Sequence, residues 1–377
     1  MLRPYQRTCA LGDTVGDAHS KARSTRAALR EFGAPLQIEE THIPRPRQGE
    51  ALVRIAAAGV CGSDLHIAAG RDPRIGLPLV LGHEGVGEIV AVNGDRSDVF
   101  GARLAVGDKV MWDRGVVCGR CYYCAVLRQA YLCPQRQVYG ISRDGCYATH
   151  LLLSAATRII KLPPDADPAV LAAAACSGAT AAHALEYVHL TETDTVVVQG
   201  PGPLGMFAVA MAHHRGAGRV ICVGTERSRK RLELASEFGA SDVVTSDGST
   251  PEDRLDLIRR RSRGVGARVV IDCAGTASAF ADGIEMVAPG GIYLLPGVAA
   301  PLAQVPLRLY EQVARKNVTL QGVWVSDTAH LVRAVELVLS GRYPFERLVT
   351  HRFPLAQVNE ALAAIASRAA LKAVLEP

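Results

Sequence analysis

From Ala27 onward the chain runs in short apolar or alternating stretches broken by Gly, Pro and Asp. ALVRIAAAGV (51–60) reads as a strand leading into Cys61, and GVGEIVAVNG (85–94) as a strand leaving Glu84. Gly107-Asp108 makes a turn before KVMW, and a long stretch rich in Gly, Cys and Tyr follows with no helical period. This half predicts an irregular, loop-rich barrel. The small residues of AAAACSGATAAHAL (172–185) then suit a helix packed tightly against a neighbour. Beyond them strands and helices alternate. The β-branched run Thr195 to Val198 enters Gly200-Pro-Gly202-Pro203-Leu204-Gly205 and an apolar helix. RVICVG (219–224), ARVVIDCAG (267–275) and GGIYLLPGV (290–298) read as further strands, with RKRLELASEFGA (229–240) as an intervening helix. That alternation predicts an α/β, doubly wound parallel-sheet domain over 178–320.

A length of 377 residues, 49% hydrophobic and 21% charged, fits two globular domains. No apolar run approaches the length that spans a bilayer, and no apolar signal core precedes a small-residue cleavage site, so the expected location is cytoplasmic. In a reducing compartment, ten Cys point to metal ligands before disulfides. Of the +5 formal charge, +4 lies in residues 1–30, where Arg3, Arg7, Lys21, Arg23, Arg26 and Arg30 face only Asp13 and Asp17. The body is nearly neutral, which argues against a nucleic-acid partner. Residues 1–25 read as a solvated basic extension.

Two sets of ligands stand out. Cys118, Cys121 and Cys124 have the short spacing that turns successive thiolates inward on one loop, and Cys133 closes a tetrahedral Cys₄ site with no open position. Such a site is structural and holds a lobe, about 113–135, that has few apolar residues of its own. A redox CxxC pair would need a βαβ context, and a zinc ribbon binding nucleic acid a basic, aromatic face. Both are lacking. The second set is spread along the chain. Cys61 and His83 bracket Ser63, Asp64 and His66, with Glu84 next to His83, and Cys176 completes a Cys₂His set with one place free. The plainer alternative is two buried Cys and a core His. In the GPGPLG turn, Gly200 allows the tight turn, Gly202 the approach of a pyrophosphate, and Gly205 close packing of helix on strand.

CGSDLH, GHE, CGRCYYC with Cys133, CSGAT and GPGPLG occur in the order and approximate spacing of the zinc-dependent medium-chain dehydrogenase/reductases, the alcohol and polyol dehydrogenase group, which the chain resembles from about residue 25 to 377. The resemblance implies a GroES-like β-rich catalytic domain (26–177 and 321–377) and a Rossmann nucleotide-binding domain (178–320). It implies two zinc ions per chain, NAD or NADP, a small-molecule alcohol or carbonyl substrate, no membrane or nucleic-acid partner, and a homodimer or homotetramer. Cys61, His83 and Cys176 resemble the catalytic zinc ligands, Glu84 the nearby carboxylate, and Asp64 the group that orients His83. Ser63 would take the hydroxyl proton and His66 pass it to solvent, while zinc lowers the pKa of the alcohol. Thr180 and Lys372 resemble a nicotinamide-side and a pyrophosphate contact.

Where the chain departs from the family pattern, the questions are sharper. Eight residues separate Cys124 from Cys133 where better-known members have seven. After RVICVG come Thr225, Glu226 and Arg227; Glu226 suits a ribose diol, while Arg227 and Arg229 suit a 2′-phosphate, which leaves NAD and NADP both open. Arg114 stands four residues before Cys118, where liver-type enzymes place an aromatic pocket residue. It either receives an anion bidentately or turns outward on its loop. The CGRCYYC stretch and GVWVSDTAHLVRAVEL (322–337) also resemble a branch associated with phosphonate metabolism, so an anionic, phosphonate-type alcohol is the expected substrate. The alternatives are a neutral polyol, a threonine-type zwitterion, and a non-catalytic zinc-binding module.

Overall fold

The computed structural model describes residues 23–299 and 304–377. Most of the basic extension therefore lies outside the described residues, but Arg23, Ser24 and Thr25 already belong to the first strand. That strand starts inside the stretch assigned to the extension because Ser24 is buried, its hydroxyl 2.9 Å from that of Thr149.

The barrel half contains β1 (Arg23–Leu29), β2 (Gln37–His42), β3 (Ala51–Val60), the short helix α1 (Gly62–Ala68), β4 (Leu79–Val80), β5 (Gly85–Val92) and β6 (Lys109–Trp112). A two-stranded ribbon, β7 (Gly115–Val116) with β8 (Gln137–Val138), flanks the Cys₄ lobe, and β9 (His150–Leu153) and β10 (Ile159–Lys161) follow. Helices α2 (Pro168–Ala172) and α3 (Ser177–Ala184) cross to the second half, with a break at Cys176. All eight residues of α3 are buried, so its run of Ala, Gly and Ser answers to close packing.

Next come β11 (Thr195–Gln199), α4 (Pro203–His214), β12 (Arg219–Gly224), α5 (Arg229–Glu237), β13 (Asp242–Thr245), α6 (Pro251–Arg261), β14 (Ala267–Asp272), α7 (Ala277–Met286), β15 (Val287–Leu295) and β16 (Thr319–Gly322). They form one parallel sheet in the order β13-β12-β11-β14-β15-β16. Helices cover both faces, which is why β11 is buried at every position and reads as a continuous apolar run. The order reverses between β11 and β14, and their carboxyl ends open the crevice in which such sheets bind ligands.

The domain boundary expected at 320 falls inside β16, whose Gln321 pairs with Leu294. Helix α8 (Thr328–Leu339) then buries Leu331, Ala334, Val335 and Leu337 in the core that holds α3 and α4. The parallel sheet thus runs to Gly322, and α8 packs on α3 where the two halves meet. Only β17 (Val349–Pro354), α9 (Val358–Ala366) and β18 (Lys372–Glu376) return to the barrel, in a sheet ordered β10-β6-β5-β3-β18-β17 with β9 also on β3. Among the described residues no single helix is long and apolar enough to cross a membrane.

Candidate active site

Strand β3 delivers Cys61 to the N-cap of α1, the link between β4 and β5 carries His83 and Glu84, and the break before α3 presents Cys176. The ligand atoms of these four side chains lie within 4.8 Å of one another. The Cys61 and Cys176 sulfurs are 4.0 Å apart. That is too far for a disulfide, whereas a tetrahedral zinc with Zn–S bonds of about 2.3 Å sets its sulfurs about 3.8 Å apart. The donor set therefore fits zinc. Cys176 and His83 hold the Cys61 thiol well below its ordinary pKa despite burial, so the thiolate a metal needs is already favoured.

Beneath the ligands lies a fully buried support. Asp64 Oδ2 accepts the Cys61 N–H at 2.9 Å and the Tyr147 hydroxyl at 2.8 Å, while Oδ1 faces His83 Nδ1 at 3.2 Å. Held from that side, the imidazole turns Nε2 to the sulfurs. Glu84 and Lys372 form a buried ion pair. Burial pushes the Glu84 carboxyl up to about 7 even against the neighbouring ammonium. Gly59 is required beside them, because a Cβ there would stand 2.0 Å from Glu84 Oε2. The pyrophosphate contact expected of Lys372 is thus answered here by an engagement with Glu84, on the same cavity wall.

The ligands open onto a cavity of about 360 Å³. Ser63 and His66, three apart on α1, both line it, and Ser63 Oγ is 3.7 Å from Cys61 Sγ. Thr180, one turn beyond Cys176, lines it as well. At its other end are Gly202, Pro203 and Leu204 at the start of α4, where free N–H groups and the helix dipole suit a pyrophosphate. Gly200 takes φ +97°, and a Cβ on Gly205 would fall 1.9 Å from the Gly200 carbonyl oxygen. Neither position tolerates a side chain. This is the cradle a dinucleotide requires.

Thr225, Glu226 and Arg227 lie past the end of β12 and outside the cavity lining. The Thr225 hydroxyl is 3.2 Å from that of Ser228, Glu226 is clasped bidentately by Arg229, and Arg227 donates to the Ser367 carbonyl at 3.3 Å. Arg231, which sequence reasoning missed, lines the cavity and donates to the carbonyls of Arg368 and Ala370, both at 2.9 Å.

Arg114 does not turn outward. It is 7% exposed, lines the cavity together with Cys176, and its Nε has no hydrogen-bond partner among the described residues. The neighbouring Asp113 and Arg136 were also missed: Asp113 accepts the Thr328 hydroxyl at 2.8 Å, and Arg136 donates to the Ser326 carbonyl at 3.0 Å. Trp324, in the same connection, completes that wall.

The second cluster joins Cys118, Cys121, Cys124 and Cys133, again within 4.8 Å, with the sulfurs of Cys118 and Cys133 3.6 Å apart. Between Cys124 and Cys133 the chain makes a short 3₁₀ turn at Ala130–Leu132. Of residues 117–135 only Cys133 is buried. With no apolar core of its own, the lobe takes its order from the metal its thiolates fit.

Comparison with known proteins agrees with this geometry. Residues 47–164 match the alcohol dehydrogenase GroES-like domain, and residues 203–340 the zinc-binding dehydrogenase family. The 5-exo-hydroxycamphor dehydrogenase of Pseudomonas putida is 31% identical, covering 93% of this chain and 98% of its own length. The L-threonine 3-dehydrogenase of Bacillus subtilis is also 31% identical, covering 92% and 96%. The crystal structure of an alcohol dehydrogenase from Thermotoga maritima superposes with a TM-score of 0.91 at 41% identity, covering 94% of this chain and 100% of that one. With both domains matched and their catalytic crevice in place, the chain belongs to the zinc-dependent medium-chain alcohol dehydrogenase family, oxidoreductases of CH–OH groups that use zinc and NAD(P).

Proposed function

We propose that the enzyme transfers hydride between NAD(P) and a small polar alcohol or carbonyl compound bearing an acidic group, of the phosphonate type among others. The observation that carries this reading is Arg114, a buried guanidinium with an unpartnered Nε beside the ligand cluster. Buried cations are retained where a charged partner arrives, and a guanidinium matches a carboxylate or phosphonate bidentately.

In this scheme Cys61, His83 and Cys176 hold the zinc that, when bound, polarises the substrate oxygen. Asp64 fixes the His83 ring, and Glu84, paired with Lys372, offers a carboxylate beside the ligands. Ser63 receives the hydroxyl proton and His66 passes it to solvent. The turn from Gly200 to Gly205 holds the pyrophosphate and Thr180 abuts the nicotinamide. Glu226 and Arg227 approach the adenosine ribose, and Cys118, Cys121, Cys124 and Cys133 hold the structural zinc.

The test is a screen of NAD⁺ and NADP⁺, each crossed with neutral polyols, threonine and hydroxyalkyl phosphonates or carboxylates. Arg114→Ala should raise KM for an anionic substrate far more than for a neutral one, by about 10-fold or more as expected for a lost hydrogen bond to a charged group. Equal effects on both would refute the reading. The second reading, a neutral polyol or the zwitterion threonine, is favoured by what the relatives are named for, and turnover of those substrates alone would establish it. Light scattering on the same protein tests the expected homodimer or homotetramer.

A further inference from the structure

Arg114 and Arg74 both line the crevice, with Arg136 near them, and Arg74 already has its carboxylate. Arg74 is clasped by Asp72, with Nη2 to Oδ2 at 2.5 Å and Nε to Oδ1 at 2.8 Å, and lies over the ring of Trp324 at 5.2 Å. Its side chain is 41% exposed and Trp324 49% exposed, so this pair stands at the solvent end of the cavity. Arg136 donates to the Ser326 carbonyl at 3.0 Å and is the main cation acting on Asp113. Asp113 in turn accepts from the Gly115 N–H at 2.7 Å and the Thr328 hydroxyl at 2.8 Å. Arg114 forms no ion pair among the described residues, and the nearby Asp113 carboxylate is shared with Arg136 and occupied by those two bonds. Arg114 lines the cavity together with Cys61, His83 and Cys176, at the metal end.

We infer that the substrate carries its acidic group on the reacting carbon: the class is 2-hydroxy acids and short 1-hydroxyalkyl phosphonates, with Arg114 reading the acid. The inference rests on the anionic reading proposed above and fixes where along the substrate the charge lies. The guanidinium lines the same cavity as the donor atoms of Cys61, His83 and Cys176, which stand within 4.8 Å of one another. An oxygen addressed to the ligand cluster and an oxygen addressed to Arg114 therefore belong to adjacent groups of one small molecule. An acid at the far end of a chain would instead reach Arg74, whose charge is spent on Asp72 and screened by solvent. The Asp64 carboxylate does not oppose an anion at Arg114 directly, since His83 stands between it and the ligand atoms.

The experiment uses the zinc-loaded enzyme saturated with reduced cofactor, with which an alcohol binds but cannot react. Calorimetric titration compares 2-hydroxybutyrate with its isomer 4-hydroxybutyrate, 1-hydroxypropylphosphonate with 3-hydroxypropylphosphonate, and the neutral butane-1,2-diol. The member of at least one pair with its hydroxyl on the carbon that bears the acid should bind about 10- to 100-fold tighter than its isomer and than the diol. In Arg114→Ala that ratio should collapse towards one, and Arg114→Lys should restore part of it, with zinc content unchanged in both. Isomers that bind equally, both tighter than the diol, would overturn the placement and leave the anionic reading standing. A diol that binds as tightly as the acids, or binding of no acid at all, would overturn both. A preference that survives Arg114→Ala would remove Arg114 from the role.

Discussion

Tyr147→Phe is the sharpest test of how the metal site is supported, because it deletes one oxygen and leaves the packing. The ring is fully buried, and its hydroxyl donates at 2.8 Å to Asp64 Oδ2, which otherwise receives only the Cys61 N–H at 2.9 Å. The space left by a hydroxyl is too small for water to restore the bond. A hydrogen bond to a buried carboxylate contributes about 1.5–3 kcal/mol, so the variant should lose stability of that order. The larger consequence is local. With one anchor gone, Asp64 holds His83 less firmly, and loss of such an outer partner typically weakens metal binding by about 10- to 100-fold. Competition with a chromophoric chelator should then show one of the two zinc ions released at roughly tenfold lower chelator concentration than in the parent, while the Cys₄ zinc is unmoved. If both ions shift equally, or stability falls while neither shifts, Tyr147 is core packing only and the support argument is wrong.

Cys133→Ser should open the lobe at 117–135 to proteolysis while the midpoint of global unfolding changes little, since that lobe buries no other side chain; resistance equal to the parent would refute a metal-held lobe. Gly205→Ala should weaken dinucleotide binding by more than about tenfold in a fluorescence titration, because its Cβ would press on the Gly200 carbonyl oxygen at 1.9 Å; unchanged affinity would place the cofactor elsewhere. Asp327 caps α8 and faces His330 Nδ1 at 2.9 Å; burial raises its pKa, but His330 and the cap amides outweigh this and hold it below 3.8. A depressed carboxyl stabilises the fold above its unfolded pKa and loses that effect as pH falls through the folded value. The stability deficit of Asp327→Asn in urea should therefore be full at pH 7 and shrink below about pH 4, and a deficit independent of pH would assign it to the cap alone.

Both ligand sets, the dinucleotide turn and the two-domain division were legible because each depends on residue types at short spacing or on strand–turn–helix order. Contacts between distant parts of the chain were not. Tyr147 reaches Asp64 across 83 residues and Arg136 reaches Ser326 across 190, and neither stretch carries a pattern announcing its partner. Lys372 meets Glu84 only because β18 lies beside β3 in the barrel sheet. The boundary expected at 320 divides β16 because that four-residue edge strand has no clear apolar run. The direction of Arg114 was open in the sequence and is closed by burial: it stands in the two-residue link between β6 and the ribbon strand β7, with its side chain turned inward.

The central claim is that Cys61, His83 and Cys176 form a zinc site that carries out hydride chemistry with a nicotinamide cofactor. It is tested most directly by counting zinc and following reduced-cofactor absorbance on the same sample, before and after a chelator removes the more labile ion. The account predicts two zinc ions per chain at the start, and loss of turnover in step with loss of the first, with dinucleotide binding retained. Turnover that continues after that ion has gone, or a protein with one zinc and no affinity for either dinucleotide, would contradict it.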